Sequence, residues 1–485
     1  MGRRAAPVTS RRVVIVGAGA SGIPLAARLG AQGDHVVLLE AGTAHMPDAA
    51  WTVRGGMPDL PSTWTYDAEL VPGRPWRIAR GRMPGGSTAV NGAVFQRPHP
   101  DDFASWAATA GAPWSYEACL PALRRLESDR DFPDAPVHGR SGPVPVQRTG
   151  ADDPLTRAFL AAVVAAGAVR EADKNGGGPS GVGLVPRNAV GADRWSVDRA
   201  YAPLLAAASV EVRPGATAQR IRFQGRRAVG VDVVVDGIHE FVAADEVVLC
   251  AGAIETPRLL LRSGVGDAAA CDPAAAHVLA RRGVGRNLSD HAAIDVSWRL
   301  RGTPPALGAA WTAAWNAPAG TVAGLGVEML LAVLPTAAIL TGDATATGAL
   351  DLRVTLAEPL SRGAVTLGPA SMVRYGYLSH DIERAALRAA VRAADGILRS
   401  SEMADLVAWV APEPGPLGTA LHSCGTARMG AAEDPDAVAD AHGRVHDTEN
   451  LRIADASLLP HVPSRGTALA AVLIGERIAE LMAAE

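Results

Sequence analysis

Apolar residues fall into two periods along this chain. Arg12 to Val16 (RVVIV) and His35 to Glu40 (HVVLLE) are short, β-branched and nearly unbroken, the pattern of strands buried on both faces of a parallel sheet. Between them, Ser21 to Gln32 spaces its apolar residues as a helix does. Val229–Val235 and Glu246–Cys250 repeat the buried-strand pattern, and Thr256 to Arg262 turns helical, with Pro257 expected to open that helix. Glu328–Val333, Leu352–Leu356 and Ala364–Leu367 read as strands of a different sheet. His380 to Arg399 is amphipathic, predicting a helix capped by Ser379 or Asp381. Trp311 and Trp315 stand four apart on a possible helix, in a stretch between Arg301 and Asp343 whose only charge is Glu328. Core or pocket lining is the plain reading; a docking surface for a large substrate or a membrane-side electron acceptor is the sharper one.

These elements predict an α/β fold. A doubly wound, Rossmann-type nucleotide domain is interrupted twice by pieces of an antiparallel-sheet-plus-helix substrate domain. The pieces are expected at residues 10–150, 151–207, 208–291, 292–418 and 419–485, the first, third and fifth belonging to the nucleotide domain. No internal repeat is visible.

Composition narrows the class. At 485 residues the chain is long enough for two or three domains, and a net charge of -4 gives no reason to expect nucleic acid. Lys174 is the only lysine, a bias we read as genomic. The four cysteines show neither CxxC nor zinc spacing, which suits reduced thiols in a cytoplasm and predicts no metal site. Arg3, Arg4, Arg11 and Arg12 precede an apolar stretch that mimics a signal peptide, but the glycine-rich loop follows at once. Glu328 and Pro335 interrupt the best candidate for a membrane span.

Gly17, Gly19 and Gly22 match GxGxxG. The first permits a tight turn, the second lets backbone approach a pyrophosphate, and the third packs helix on strand. Ser21 lies in the same loop. Glu40 ends the next strand, where a carboxylate would accept from a ribose hydroxyl, with Ala41 completing the corner. Such a loop does not separate FAD from NAD.

Further segments carry a resemblance. RGRMPGGSTAVNG at Arg80–Gly92, CAGAIETPRLLLRSGVG at Cys250–Gly266, VGRNLSDH at Val284–His291, LHSCGTARMG at Leu421–Gly430 and NLRIADASLLPHVPSRGTA from Asn450 together resemble the glucose–methanol–choline (GMC) flavin oxidoreductases over essentially the whole chain. The resemblance implies FAD. Gly85, Gly86 and Ser87 would lie along its pyrophosphate, Asn91, Gly92 and Ala93 beside the isoalloxazine, Ala218 against adenine, and Asp455, Ala456, Gly466 and Thr467 at the flavin end. Some relatives attach flavin through a histidine that here is Val90, so FAD is expected to be non-covalent.

His422 occupies the position of the family's active-site histidine, suited to take a proton as hydride leaves an alcohol for flavin N5. His291 is read as a structural turn residue and Cys424 as packing. Relatives place a second histidine or asparagine eleven residues after the aspartate matching Asp455; here that position is Gly466, leaving Arg465 or His461 as possible substitutes, with a surface salt bridge as the bland reading of Arg465. The SRG turn, HGRSGPVPVQR at His138–Arg148 and PSGVGLVP at Pro179–Pro186 resemble the mycofactocin-associated GMC oxidoreductases. That implies oxidation of mycofactocinol, a reduced peptide-derived cofactor, with electrons passing to the respiratory chain from a cytoplasmic enzyme or one peripheral at the inner face of the membrane. The alternatives are a choline-type dehydrogenase or oxidase acting on a free small alcohol, and an FAD-containing hydroxynitrile-type lyase.

Overall fold

Two sheets carry the molecule and face each other across one cavity. The structure, a computed structural model, describes residues 10–43, 62–341, 347–368 and 372–485. The first sheet is parallel and five-stranded, in the order Val210–Pro214, His35–Glu40, Arg12–Val16, Glu246–Leu249, Leu451–Ile453. Val13, Val14, Val36, Val37, Val247 and Val248 are wholly buried, as a sheet covered on both sides requires. The Gly22–Ala31 helix follows the first strand, and the C-terminal helix Ala468–Ala483 packs beside it. Buried Glu476 on that last helix accepts from Arg28, Arg125 and the Tyr201 hydroxyl, at 2.7–3.0 Å, joining four segments. The strand ends at Gly17, Glu40, Cys250 and Asp455 all open on the cavity, the side on which parallel sheets bind ligands.

The second sheet is antiparallel. Its path runs Val407–Val410, Ala292–Leu300, Leu350–Leu356, Val327–Ala332, Trp311–Ala317, Val182–Leu184, with Gly418–Thr419 added beside Ala292–Leu300. Alternate residues serve opposite faces. Met329, Leu331, Leu352, Val354 and Trp315 pack into a core with Phe159 and Leu387 of the helices Pro154–Ala165 and Asp381–Leu398. Glu328, Leu330, Arg353 and Thr355 point the other way, into the cavity.

Several local expectations change. Trp311 and Trp315 lie on a strand, not a helix, and pairing slips at Thr312, where Trp311 opposes Ala332 but Ala313 opposes Leu331. The extra residue turns Trp311 onto the cavity face while Trp315 stays in the core, so neither tryptophan forms an exposed docking surface. Val229–Val235 belongs to a separate three-stranded antiparallel sheet. Of Ala364–Leu367, only Ala364–Val365 is a strand, in a four-stranded sheet with Thr63–Glu69, Pro75–Gly81 and Val373–Arg374. His380 is the residue before the Asp381–Leu398 helix, and Glu383 reaches back to its amide at 3.3 Å. Pro257 sits inside the Gly252–Arg262 helix rather than at its start. It cannot donate to Ala253, and the Thr426 hydroxyl takes that carbonyl instead at 2.6 Å.

Candidate active site

The cavity between the sheets holds about 580 Å³ and runs from the glycine loop to His422. Its nucleotide end is made of backbone. Gly17 has a φ of +106°, and a Cβ there would stand 2.5 Å from the Cys250 carbonyl; at Gly22 it would stand 2.0 Å from the carbonyl of Gly17. Both positions therefore exclude side chains for packing reasons. At Gly19 the nearest atom to an added Cβ is the Gly86 Cα at 3.9 Å, so that glycine faces open cavity. Glu40 accepts from the amides of Ala18 at 3.1 Å and Gly42 at 2.8 Å. Burial pushes its pKa up to about 7 against those bonds.

Of the cofactor positions expected from sequence, Gly17, Gly19, Ser21, Glu40, Ala41, Gly86, Ser87, Asn91, Gly92, Ala218, Asp455, Ala456, Gly466 and Thr467 line this one cavity. Gly22, Gly85 and Ala93 do not. Gly22 packs helix on turn, Gly85 is held by its amide to Ala18 at 2.9 Å, and Ala93 is fully buried at a φ of 55°. Ser21 gives its hydroxyl to the Ala471 carbonyl at 2.6 Å. Asp455 accepts from Gly252, Thr256 and Ser457, so its role is to hold the turn of the Gly252–Arg262 helix against the last strand. Val90 lines the cavity with hydrocarbon only, and the end of the last helix at Thr467 and Ala468 presents backbone amides there.

At the opposite end stands His422. The preceding residue, Leu421, is in the left-handed region at a φ of 62°, held by its amide to Thr419 Oγ1 at 2.9 Å and by Arg80 on its carbonyl at 2.6 Å. The buried carboxylate of Asp290 accepts from the amides of His422 (3.0 Å) and His291 (2.6 Å) and from the Ser423 hydroxyl (2.6 Å). It thereby brings two distant segments together. His291 Nδ1 lies 2.9 Å from His422 Nδ1, with the rings at 87°. Burial lowers the His291 pKa to about 4; burial, then the repulsion that a second proton would meet from His291, and the charges of Arg80 and Arg353, hold His422 well below its ordinary value. Both rings are neutral at neutral pH, so one donates to the other.

The histidine read as a turn residue is thus the direct partner of the expected base. Sequence gave no sign of it, because a separation of 131 positions conceals the contact. The other substitutes fail. Arg465 is buried, bonded to Glu171 at 2.7 Å and to the Lys174 carbonyl, and reaches neither cavity nor surface. His461 does not line the cavity, and burial followed by Arg362 lowers its pKa to about 4. Gly466 does stand beside His422: a Cβ there would lie 3.6 Å from Nε2.

Another wall of the cavity comes from the antiparallel sheet: Trp311 fits the plain pocket-lining expectation for its stretch, whereas nothing in the sequence singled out Arg353 or Thr355. Trp311 covers Gly92 so closely that a Cβ on Gly92 would meet the ring at 2.2 Å. Asn91 Oδ1 accepts from Arg194 at 2.6 Å. Glu328 accepts from Asn316 at 2.9 Å, and burial raises its pKa. Arg353 pairs with Asp295 through two bonds, which burial strengthens. Away from the cavity, Glu127, Asp129 and His138 cluster closely, but Arg97 and Arg148 already compensate those carboxylates, making an ion-pair knot. All four cysteines are free, and burial raises the Cys424 pKa well above its ordinary value, as inert packing requires. Among the described residues no helix is long and apolar enough to cross a membrane.

Residues 11–293 and 359–475 match the two sequence profiles of the GMC oxidoreductase family. The chain is 36% identical to an uncharacterized GMC-type oxidoreductase in the thcA 5' region of Rhodococcus erythropolis, covering 97% of each. It is 32% identical to the oxygen-dependent choline dehydrogenase of Rhizobium johnstonii, over 96% of this chain and 94% of that one. Pyridoxine 4-oxidase from Mesorbium loti has a similar structure, with a TM-score of 0.88 and 29% identity over 98% of this chain and 100% of that one.

Proposed function

The chain belongs to the GMC oxidoreductase family, and on that premise we propose that it oxidises an alcohol to a carbonyl with His422 as the base. It is an FAD-dependent enzyme acting on CH–OH donors. The residues present fit FAD: one cavity joins the glycine loop, the open face of Gly19, Glu40 and the Asn91–Gly92 backbone to the catalytic end. FAD supplies the hydride acceptor. His422 Nε2, the nitrogen beside Gly466, takes the hydroxyl proton. For that nitrogen to be a lone pair, the ring proton must sit on Nδ1, where His291 Nδ1 accepts it. Burial keeps His291 neutral and therefore an acceptor. Asp290 fixes both rings through their own backbones.

The observation that carries this reading is His422, which lines the nucleotide cavity with buried His291 behind it at 2.9 Å. Anaerobic addition of alcohols should bleach the bound flavin. A panel in which none does so, while FAD stays bound, would leave the lyase reading.

For the substrate, the SRG turn and the His138–Arg148 and Pro179–Pro186 segments support mycofactocinol, with electrons leaving for a respiratory acceptor. The choline dehydrogenase and pyridoxine oxidase relatives support a free small alcohol. Reduction rates with mycofactocinol against the alcohol panel, using an artificial acceptor, decide between them.

A further inference from the structure

The alcohol chemistry leaves one charged group in the cavity without a task. Arg353 lies on the Leu350–Leu356 strand and lines the cavity, with about a third of its side chain (34%) open. Its Nε and NH2 donate to Asp295 Oδ1 and Oδ2 at 2.8 and 2.9 Å. Asp295 does not line the cavity, so the positive end of the pair faces inward. Among the described residues no acceptor takes NH1. The outer edge of the guanidinium, NH1 with the second hydrogen of NH2, is therefore an unused two-donor fork, the geometry that matches a carboxylate.

The surroundings favour such a ligand. Thr355, two positions along, places a hydroxyl on the same face. Glu328 lies directly across from Thr355, but Asn316 holds it and burial favours its neutral form; the charges of Lys174 and Arg465 also reach it. The other cavity cations are engaged: Arg80 with Leu421 and Ser423, Arg258 and Arg262 with Glu255. Gly466 leaves room beside His422, and the Arg353 charge is felt at that ring.

We propose that Arg353 binds a carboxylate on the substrate, so that the alcohol oxidised here is a hydroxy acid. The inference rests on the alcohol-oxidising reading above, though not on which alcohol that reading names. It makes Arg353 a specificity residue, and no proton or electron passes through it.

The test uses the oxidised holoenzyme and ligands that need not react. Benzoate and benzamide, with acetate and acetamide as smaller counterparts, are titrated while the flavin absorbance is followed. Benzoate or acetate should bind at least about tenfold tighter than its amide, the scale of a charge-assisted pair. Arg353→Gln should abolish that preference, and Arg353→Lys, which keeps a cation for Asp295, should keep part of it. Equal affinity for acid and amide in the native enzyme overturns the proposal without any variant having to fold. So does a preference that survives Arg353→Gln. Mandelate and 1-phenylethanol as reductants then separate the two readings. If carboxylates bind through Arg353 but neither compound bleaches the flavin, alcohol oxidation fails and the carboxylate site stands. If both bleach it equally and acids bind no better than amides, oxidation stands and the carboxylate site falls.

Discussion

The two sheets meet at the same cavity and contribute to it by different means. The parallel sheet offers backbone: turns at its strand ends, glycines that admit close approach, amides at the start of the last helix. The antiparallel sheet offers side chains, Glu328, Leu330, Arg353 and Thr355, drawn from alternate positions on two neighbouring strands. A backbone site demands particular residues at fixed spacing, because a single Cβ in the wrong place fills it. A side-chain site demands only that a strand alternate, and many residues satisfy that. One half can hold the same cofactor across a family while the other half changes with the substrate.

The largest expected effect lies on the backbone side. Gly19→Leu projects into open cavity, so FAD retention should be lost while the unfolding transition of the apoprotein stays in place. Gly22→Ala should do the reverse and damage the fold itself, since its Cβ would stand 2.0 Å from a carbonyl. Flavin content and apoprotein melting, measured on both variants, break the comparison if they move together. Acid precipitation should also release the flavin, because Val90 offers no attachment point.

His422→Ala comes next. It should keep FAD and slow anaerobic flavin reduction by roughly 10²–10⁴-fold, the contribution of a positioned base. Near-normal rates would move the base elsewhere. The paired tryptophans then sharpen the two-face picture of the antiparallel sheet. Trp315→Ala should cost about 3–5 kcal/mol of stability as a core deletion. Trp311→Ala should act chiefly on substrate affinity, read as KM, because that ring faces the cavity.

His291→Ala should cost about 1–2 kcal/mol in the reduction step, roughly tenfold, by releasing the His422 tautomer. His291→Asn, which still offers an acceptor, should recover part of the rate, whereas a merely structural role would show no such rescue.

The smallest effects are in pH. As the proposed base, His422 must be unprotonated, and its pKa is lowered, so the acid limb of kcat/KM should fall below the ordinary histidine value of 6.5. His291, at about 4, binds fewer protons folded than unfolded between 6.5 and 4, so stability drops as pH falls through that window. His138 has the opposite sign. Burial lowers its pKa, but bonds to Asp173 and Glu127 prevail and raise it to about 9. Its contribution is complete below 6.5 and is lost as pH rises through about 9. Melting curves on His291→Ala and His138→Ala should therefore flatten opposite sides of the stability profile.

Much of the nucleotide half was legible because its rules are local. GxGxxG and the acid ending the next strand each declare themselves within a few residues, and the buried strands declare themselves by β-branched runs, while Asn91 and Gly92 came only through the resemblance of their segment. The failures share a cause. A β-bulge at Thr312 is invisible to periodicity, so Trp311 and Trp315 looked like one face of a helix. Pro257 is tolerated inside a helix because a threonine far along the chain takes the carbonyl it leaves free.

By itself, then, the sequence determined the family and the cofactor, and it singled out the residues proposed here as cradle and base, since each depends on what a short stretch of backbone permits. Tertiary structure decided the rest of the site. It turned Arg465 away into a buried pair with Glu171, and placed Arg353 in the cavity wall. It also set His291 against His422, through a carboxylate that binds the backbone of both. These placements depend on how distant segments dock, where burial and charge pairing select one arrangement that no local pattern encodes.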